Sequence, residues 1–543
     1  KAGQQLRTDE NTGVSAAQKA TGSDDKSFTP ANDSQKAAYD AALAGITAGA
    51  NNNNNGQSVP EGDSAQAKAY TDAYNQAHAL GMQKAADGAN AFNSGQADTS
   101  DNSLAGQAQS QGYKDAQSGH DAAVKNQTPT EAQKNNPSFM AGYNAAESAR
   151  TGLSDIEKGA TTPTSHVDDN AYKQAQQAYK DASASIAANP DNPAATTNPS
   201  PAYQEIYKQA QADLKKNYDA GKQQFMDAQS SANTSGASSD QGKGRITQGY
   251  TDAQAGFNAA INGQTITNPN DAQKAGMDAA KTVADTVKAS VDGSYKNSND
   301  PIAQAANSAT QSAHNDLLSN PDHADVSTDP SIANNPVKAA AYKQAQEQYK
   351  ANYDAGTNAY LNNTNEPSDD LGKKGYQEAN DGFTAGFSGQ TSIANQHSAA
   401  QSGLSAGEQA LAGYNNALSL KDENANAPQV EKDGNNGAKQ AFADAKNNTS
   451  MSESDLAKEP VAFQAAYNKA KEIAQQAITD GATAFASGQV RPTVTDAITD
   501  AQAKAYDDAR SGYDAAKTGA TLTQEQKNNP SFMAGVKAYQ DAQ

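Results

Sequence analysis

The chain predicts an all-α fold: a tandem array of four-helix modules of about 130 residues each, drawn out into an elongated rod or fibre. Three observations carry that expectation. One pattern recurs in register around Tyr113, Tyr250, Tyr376 and Tyr506. Before each copy runs an apolar stripe with the 3.6-residue period of a helix. Asn-Pro and Gly punctuation sits where such helices would open and close.

The opening helix of each module is read from seven aligned positions. They are Tyr70, Tyr74, Ala77, Gly81, Ala85, Gly88 and Phe92 in the first copy. The second has Tyr203, Tyr207, Ala210, Leu214, Tyr218, Gly221 and Phe225. The third has Lys338, Tyr342, Ala345, Tyr349, Tyr353, Gly356 and Tyr360. The fourth has Phe463, Tyr467, Ala470, Ala474, Ile478, Gly481 and Phe485. Steps of three and four hold one helix face. The sixth position is Gly in every copy, although Gly costs a helix interior about 1 kcal/mol relative to Ala. Its recurrence predicts that another backbone packs closely there. A helix of about 33 residues would be about 50 Å long.

The second helix carries the recurring pattern. Its copies read GYKDAQSGHDAAVKNQT, GYTDAQAGFNAAINGQT, GYQEANDGFTAGFSGQT and AYDDARSGYDAAKTGAT. Counted from the Tyr, each has an acid at +2, Ala at +3, Gly at +6, a ring at +7, Ala at +9 and Thr at +15. Copies are 137, 126 and 130 residues apart. The third helix is marked by Ala141-Gly142-Tyr143, Ala275-Gly276-Met277, Ala412-Gly413-Tyr414 and Ala534-Gly535-Val536. The fourth is the least uniform, with Tyr172 and Tyr179 in one copy, Ile302 and Leu317 in another and Phe442 in a third. Tyr39 reads as the fourth helix of a preceding module.

Helices are expected to open at Asn136-Pro137, Pro201, Asn268-Pro269, Asn335-Pro336, Glu459-Pro460 and Asn529-Pro530. They are expected to close at Gly95, Gly152, Gly263, Gly389, Gly488 and Gly519. Asn51 to Asn55 reads as a polar linker. The boundaries that follow are 1–62 for the end of a preceding module and a linker, 63–199, 200–334 and 335–458 for three modules, and 459–543 for an incomplete fourth. A longer repeat lies above these. KNNPSFMAG occurs at Lys134 and again at Lys527, 393 residues on, the same separation as Gln96 to Gln489 and Tyr113 to Tyr506. Three modules therefore make one duplicated unit. The chain starts and stops inside the pattern, with no evident signal peptide or anchoring tail, and reads as a segment of something longer.

Composition narrows the function classes. The 543 residues carry a net charge of −20, which repels phosphate backbones and argues against nucleic acid as a partner. No run of about 18 apolar residues is present for membrane insertion. There is no Cys, so disulfides and cysteine metal sites are excluded. Hydrophobic residues are 35%, and Tyr (22) outnumbers Phe (11), so rings between Ala and Gly faces must supply the core. Each Tyr would bury its ring and keep its hydroxyl wet at the rim.

No catalytic, cofactor-binding or metal constellation emerges, so no enzyme activity and no cofactor are expected. His78, His120, His166, His314, His323 and His397 have no i, i+4 pairing, and read as surface or stripe positions rather than ligands. His120 stands where Phe257, Phe383 and Tyr513 stand, and reads as a ring in a packing slot. Gly403-Leu404-Ser405-Ala406-Gly407 matches GxSxG but lacks the strand such an elbow needs. Gly242-Lys243-Gly244-Arg245 reads as linker, and acid pairs such as Asp507-Asp508 as solvated charge. The tyrosine stripes read as core. The alternative is exposed rows that stack on sugars or hold a protein.

The AYxxAY and GYxDAxxG phrases and NPxFxxGY helix starts, with abundant Ala, Gln, Asn and Tyr, resemble the repeat regions of large cell-surface proteins of lactobacilli and related lactic acid bacteria. The resemblance implies an extracellular, wall-associated protein acting in adhesion, aggregation or biofilm. The function expected is a structural fibre or stalk whose partner is itself, through neighbouring modules and neighbouring chains. The alternative is an adhesin module that holds a host glycoprotein or a host or cell-wall glycan on tyrosine-lined faces.

Overall fold

The computed structural model of the chain describes residues 2–22, 27–51, 65–322, 328–421 and 425–543. Among these residues the fold is all-helical, with no strand. The first helices are α1 (Ala2–Lys19), α2 (Asp33–Ala50), α3 (Ala65–Asn93), α4 (Leu104–Val124) and α5 (Glu131–Lys134). Next are α6 (Pro137–Glu157), α7 (Asp169–Ala188), α8 (Pro201–Met226), α9 (Asp240–Ile261) and α10 (Asp271–Val291). Then come α11 (Pro301–Ser319), α12 (Pro330–Ala333), α13 (Pro336–Leu361), α14 (Asp370–Phe387) and α15 (Ser398–Leu418). The last are α16 (Gln429–Asn447), α17 (Glu453–Leu456), α18 (Val461–Ala486), α19 (Ala497–Thr518), α20 (Gln524–Asn528) and α21 (Pro530–Asp541). The chain divides into two compact units, Lys1–Lys281 and Thr282–Gln543, and the division falls within α10. Linker residues 52–55 and His323 lie outside the described residues.

Most helix ends follow the sequence punctuation. Asn136, Asn335 and Asn529 cap α6, α13 and α21 through their side chains, each with Pro in the first turn. At α10 the start is displaced from Asn268-Pro269, because Asn270 caps through Gln273 N–H at 2.8 Å. The one-turn helices α5 and α20 were not anticipated. Both are held by capping boxes, Thr130 with Gln133 and Thr523 with Gln526. Gly263, Gly389 and Gly519 take positive φ after α9, α14 and α19, and Asn126 does so after α4. Gly152 does not close a helix. It lies inside α6, against the backbone of Tyr172. The segment 242–245 is the first turns of α9 rather than linker. The opening helices α8, α13 and α18 have 26 residues each, shorter than expected, and the described part of α3 has 29.

Most stripe residues of these four helices are buried, so the tyrosine rows pack inward; Tyr70, Lys338, Phe463, Ile478 and Phe485 are half-buried. The recurring Gly explains how. A β-carbon on Gly88, Gly221, Gly356 or Gly481 would fall closer than 3.0 Å to the carbonyl oxygen of Gln109, Ile246, Gly372 or Gln502. Each of those carbonyls lies four residues before the reference Tyr of the next helix. The return contact is equally regular. Gly112, Gly249 and Gly375 press on the carbonyls of Ala85, Tyr218 and Tyr353. Ala505 fills that place in the last copy and is fully buried.

The same face of the second helix continues onto the third. Gly119, Gly256, Gly382 and Gly512 meet the backbones of Phe139, Gln273, Ala400 and Phe532. Gly142, Gly276, Gly403 and Gly535 answer on the carbonyls of Ala116, Ala253, Ala379 and Ala509. In the third copy the equivalent glycine is therefore Gly403, not Gly413. Gly413 instead faces the carbonyl of Glu431 in α16, as Gly152 faces that of Tyr172 in α7.

Backbones this close leave gaps at their flanks, which rings fill. Phe92, Phe225, Tyr360 and Phe485 each sit edge-on to the reference Tyr, at centroid distances of 5.4, 5.5, 5.3 and 5.3 Å. Each also meets the +7 ring, His120, Phe257, Phe383 or Tyr513, at 5.7, 5.5, 6.0 and 5.8 Å. Edge-to-face pairs of this kind add about 0.5–1.5 kcal/mol beyond burial. Within each unit the long helices pack mainly on their neighbours in the chain, with lesser contacts to the next but one. First-to-fourth packing such as α3 on α7 or α13 on α16, which a closed bundle would need, is not among the substantial contacts of the described residues. One small-residue face shared between two neighbours favours open stacking.

Two substitutions test this packing. Gly221→Ala gains about 1 kcal/mol of helix propensity and loses about 1–3 kcal/mol or more to overpacking, so it should lower the melting temperature. Gly244→Ala in α9 meets nothing within 4 Å and should raise it. If calorimetry shows both moving the same way, the backbone contact is not what Gly221 provides. His120 has its Nε2 buried without a partner among the described residues. His120→Phe should stabilise by about 1–3 kcal/mol; an unchanged urea midpoint would contradict the slot reading.

Candidate functional site

The histidines disperse. Among the described residues no group of three or more His, Cys, Asp or Glu is placed to hold a metal ion. His166 stacks on Tyr172 at 4.0 Å and His78 on Tyr74 at 5.8 Å, while His314 meets Tyr349 tilted at 4.9 Å. The GxSxG glycines, Gly403 and Gly407, press on the backbones of Ala379 and Phe383. Ser405 between them is exposed within α15, with no strand before it. Among the described residues no helix is long and apolar enough to cross a membrane.

The recurring +2 acid has a structural task that sequence alone did not reveal. Asp115, Asp252 and Asp508 accept hydrogen bonds from the amides of Asn136, Asn270 and Asn529, at 2.8, 3.0 and 3.1 Å. These asparagines are N-terminal caps of the third helices. In the remaining copy the cap is His397, whose Nδ1 lies 3.0 Å from Glu378. The acid pair Asp507-Asp508 is likewise engaged, Asp507 by Arg491 and Asp508 by Lys504 and Asn529.

Six tyrosine hydroxyls donate to carboxylates, and Tyr207, Tyr250 and Tyr506 donate to backbone carbonyls. Tyr172 donates to Asp155 at 2.8 Å, Tyr218 to Asp252 at 2.8 Å and Tyr353 to Glu378 at 2.5 Å. Tyr342 and Tyr467 donate to Asp316 and Asp444, both at 2.7 Å, and Tyr203 donates to Asp181. The densest of these nodes is Glu378. It is buried and also pairs with Lys374 at 2.9 Å. Burial pushes its carboxyl upward, but hydrogen bonds from Tyr353, Lys374 and His397 outweigh that and hold it below its ordinary value. Asp155 is lowered chiefly by hydrogen bonds from Thr164. Burial, then Asp155, pushes Tyr172 up to about 12.

The second unit holds a feature that the repeat pattern does not announce. A groove of about 920 Å³ runs between the end of α10, α11, α13 and the start of α14. Counting back from the Tyr-bound aspartate of each fourth helix, the residue at −9 is Tyr172, Asn307 or Asn435, and at −2 Tyr179, His314 or Phe442. In α7 both tyrosines are buried, with Tyr179 bonded to Ser239 at 2.7 Å. In α11 the smaller Asn307 and His314 take their place, and space remains. Asn307 accepts from Ser290 at 2.8 Å. Tyr349 contributes a ring where the other stripes have Gly81, Leu214 and Ala474. Sequence reasoning missed the groove because its signal is a missing ring, visible only once the fourth helices are aligned by their Tyr-bound aspartates.

Comparison with family models, with curated proteins and with solved structures gave no match.

The nodes set an acid limit. Glu378 and Asp155 titrate lower folded than unfolded, so their contribution is complete above the ordinary carboxylate range, near pH 4. It is lost as pH falls through their lower folded values. Tyr172 titrates higher folded than unfolded, so its contribution is lost as pH rises from about 10 to about 12. Melting temperature should therefore plateau between these limits. Glu378→Gln should cost about 1.5–3 kcal/mol on the plateau and blunt the acid fall. An acid limb identical to that of the parent chain would show that Glu378 is not one of the groups that set it.

Proposed function

We propose that the chain is a structural repeat protein: a tandem array of four-helix modules, stacked helix on helix, that forms an elongated extracellular fibre or stalk on the cell surface. Its modules would serve adhesion, aggregation or biofilm, with further copies of itself as partner and no chemistry of its own. The observation that carries this reading is the fourfold recurrence of one helix-to-helix lock, with glycine, acid and rings at the same positions each time. Selection for a reaction would concentrate unusual residues in one copy. Selection for length repeats the same solution. The resemblance to surface proteins of lactic acid bacteria supports the extracellular setting.

A second reading, an adhesin module for a glycoprotein or polysaccharide, is favoured by the groove of the second unit. Of the tyrosine rows only Tyr349 lines that groove, and most of the other row side chains are buried.

The charge supplies a test. At a net charge of −20 copies repel one another, and that repulsion fades toward the pI of 4.7. Electron micrographs at neutral pH should show extended single particles, and light scattering should rise as the pH approaches the pI. Compact particles would contradict the fibre, and flat scattering would contradict self-association.

A further inference from the structure

We infer that the groove between α10, α11, α13 and α14 is a binding site for a neutral oligosaccharide. This inference goes beyond the fibre reading and does not depend on it.

The groove gathers uncommitted polar side chains at one place. Some Asn and Gln side chains cap helices, as Asn136 and Asn335 do, and others such as Gln117 and Gln475 stand singly on helix surfaces with no hydrogen bond among the described residues. Here Gln311, Asn315 and Asn352 line the walls, and among the described residues their side chains make no hydrogen bond. The same holds for the hydroxyls of Tyr295 and Tyr349 and the ring nitrogens of His314. Each amide offers two donors and an acceptor with two lone pairs, and each hydroxyl offers both roles. Such a set matches a ligand whose own groups both donate and accept at short intervals, as sugar hydroxyls do. The half-buried ring of His314, tilted at 49° against the buried Tyr349, gives an edge of aromatic surface for the apolar face of a pyranose.

Charge decides between ligand classes. Asp292, Asp369 and Asp370 also line the groove, and no Lys or Arg does. Sulfated, sialylated and phosphate-bearing glycans would therefore be repelled. A cationic peptide would find less than three free carboxylates. Asp292 already accepts from Ser294, through the backbone N–H at 3.0 Å and through the hydroxyl, and Asp369 accepts from Gly372 N–H at 2.8 Å. Neutral hydroxyls remain the best match, with the carboxylates as acceptors for vicinal pairs. A volume of 920 Å³ lies toward the upper end of the small-ligand range of about 300–1,000 Å³, which suits a short oligosaccharide better than a monosaccharide.

The test uses the whole chain on an array of neutral oligosaccharides of glucose, galactose, mannose and N-acetylglucosamine. Sialylated and sulfated glycans and a lysine-rich peptide stand beside them, and titration calorimetry follows on any binder. The companion variant is Gln311→Ala with Asn315→Ala, both exposed on α11, so the fold should persist and its melting temperature should match the parent. Saturable binding of a neutral oligosaccharide, weakened about tenfold or more in the variant, is the expected result. Absence of any neutral binder, undiminished binding by the variant, or retention of only the peptide or the charged glycans would each overturn the assignment.

Discussion

The structure depends on backbone meeting backbone between helices. Where Gly221 faces Ile246 and Gly249 faces Tyr218, no side chain separates the two helices. Weak Cα–H···O contacts at such places contribute at most about 0.5–1 kcal/mol each, roughly what each Gly costs its helix. Their importance is geometric. Close approach sets the depth of the flanking gaps, and that depth fits a ring: Phe225 between Tyr250 and Phe257. This resolves the compositional puzzle of a folded chain with few Leu, Ile or Val. Burial comes from rings, and the small residues make room for them.

A second layer of polar contacts fixes the ends of helices relative to one another. Asp252 accepts from Tyr218 on α8 and from Asn270 at the start of α10, so one carboxylate ties three consecutive helices. Glu378 does the same with Tyr353 and His397. A carboxylate with several donors tolerates partial burial that an isolated one would not. The recurring +2 acid is thus part of the scaffold, as are the tyrosine-bound Asp155, Asp181, Asp316 and Asp444, and the exposed acids form the repulsive exterior.

Much of this was legible in sequence where one residue type carries one constraint. The sixth-position Gly announced a close backbone, and His120 announced a ring slot. Legibility failed where a constraint is shared or hidden. The Gly403 contact was masked because Ser402, not Ala, precedes it and a chance GxSxG overlies it. Gly152 looked like a helix stop because packing glycines and capping glycines are the same letter. Tyrosine–carboxylate pairs such as Tyr467 with Asp444 join residues 23 apart on different helices, a relation fixed by loop geometry rather than by period. The groove is more remote still, since it arises from what Asn307 and His314 fail to fill.

Uniform locks and one divergent groove fit a proposed division of labour, in which most of the chain supplies reach and one place supplies recognition. All of it presupposes that the glycine faces are the tightest part of each repeat. Amide hydrogen exchange followed by mass spectrometry tests this most directly. Slowest exchange should recur at the segments around Gly88, Gly221, Gly356 and Gly481 and at their partners near Gln109, Ile246, Gly372 and Gln502. Exchange there as fast as in the loops between helices, or protection at a different register in each copy, would contradict the account.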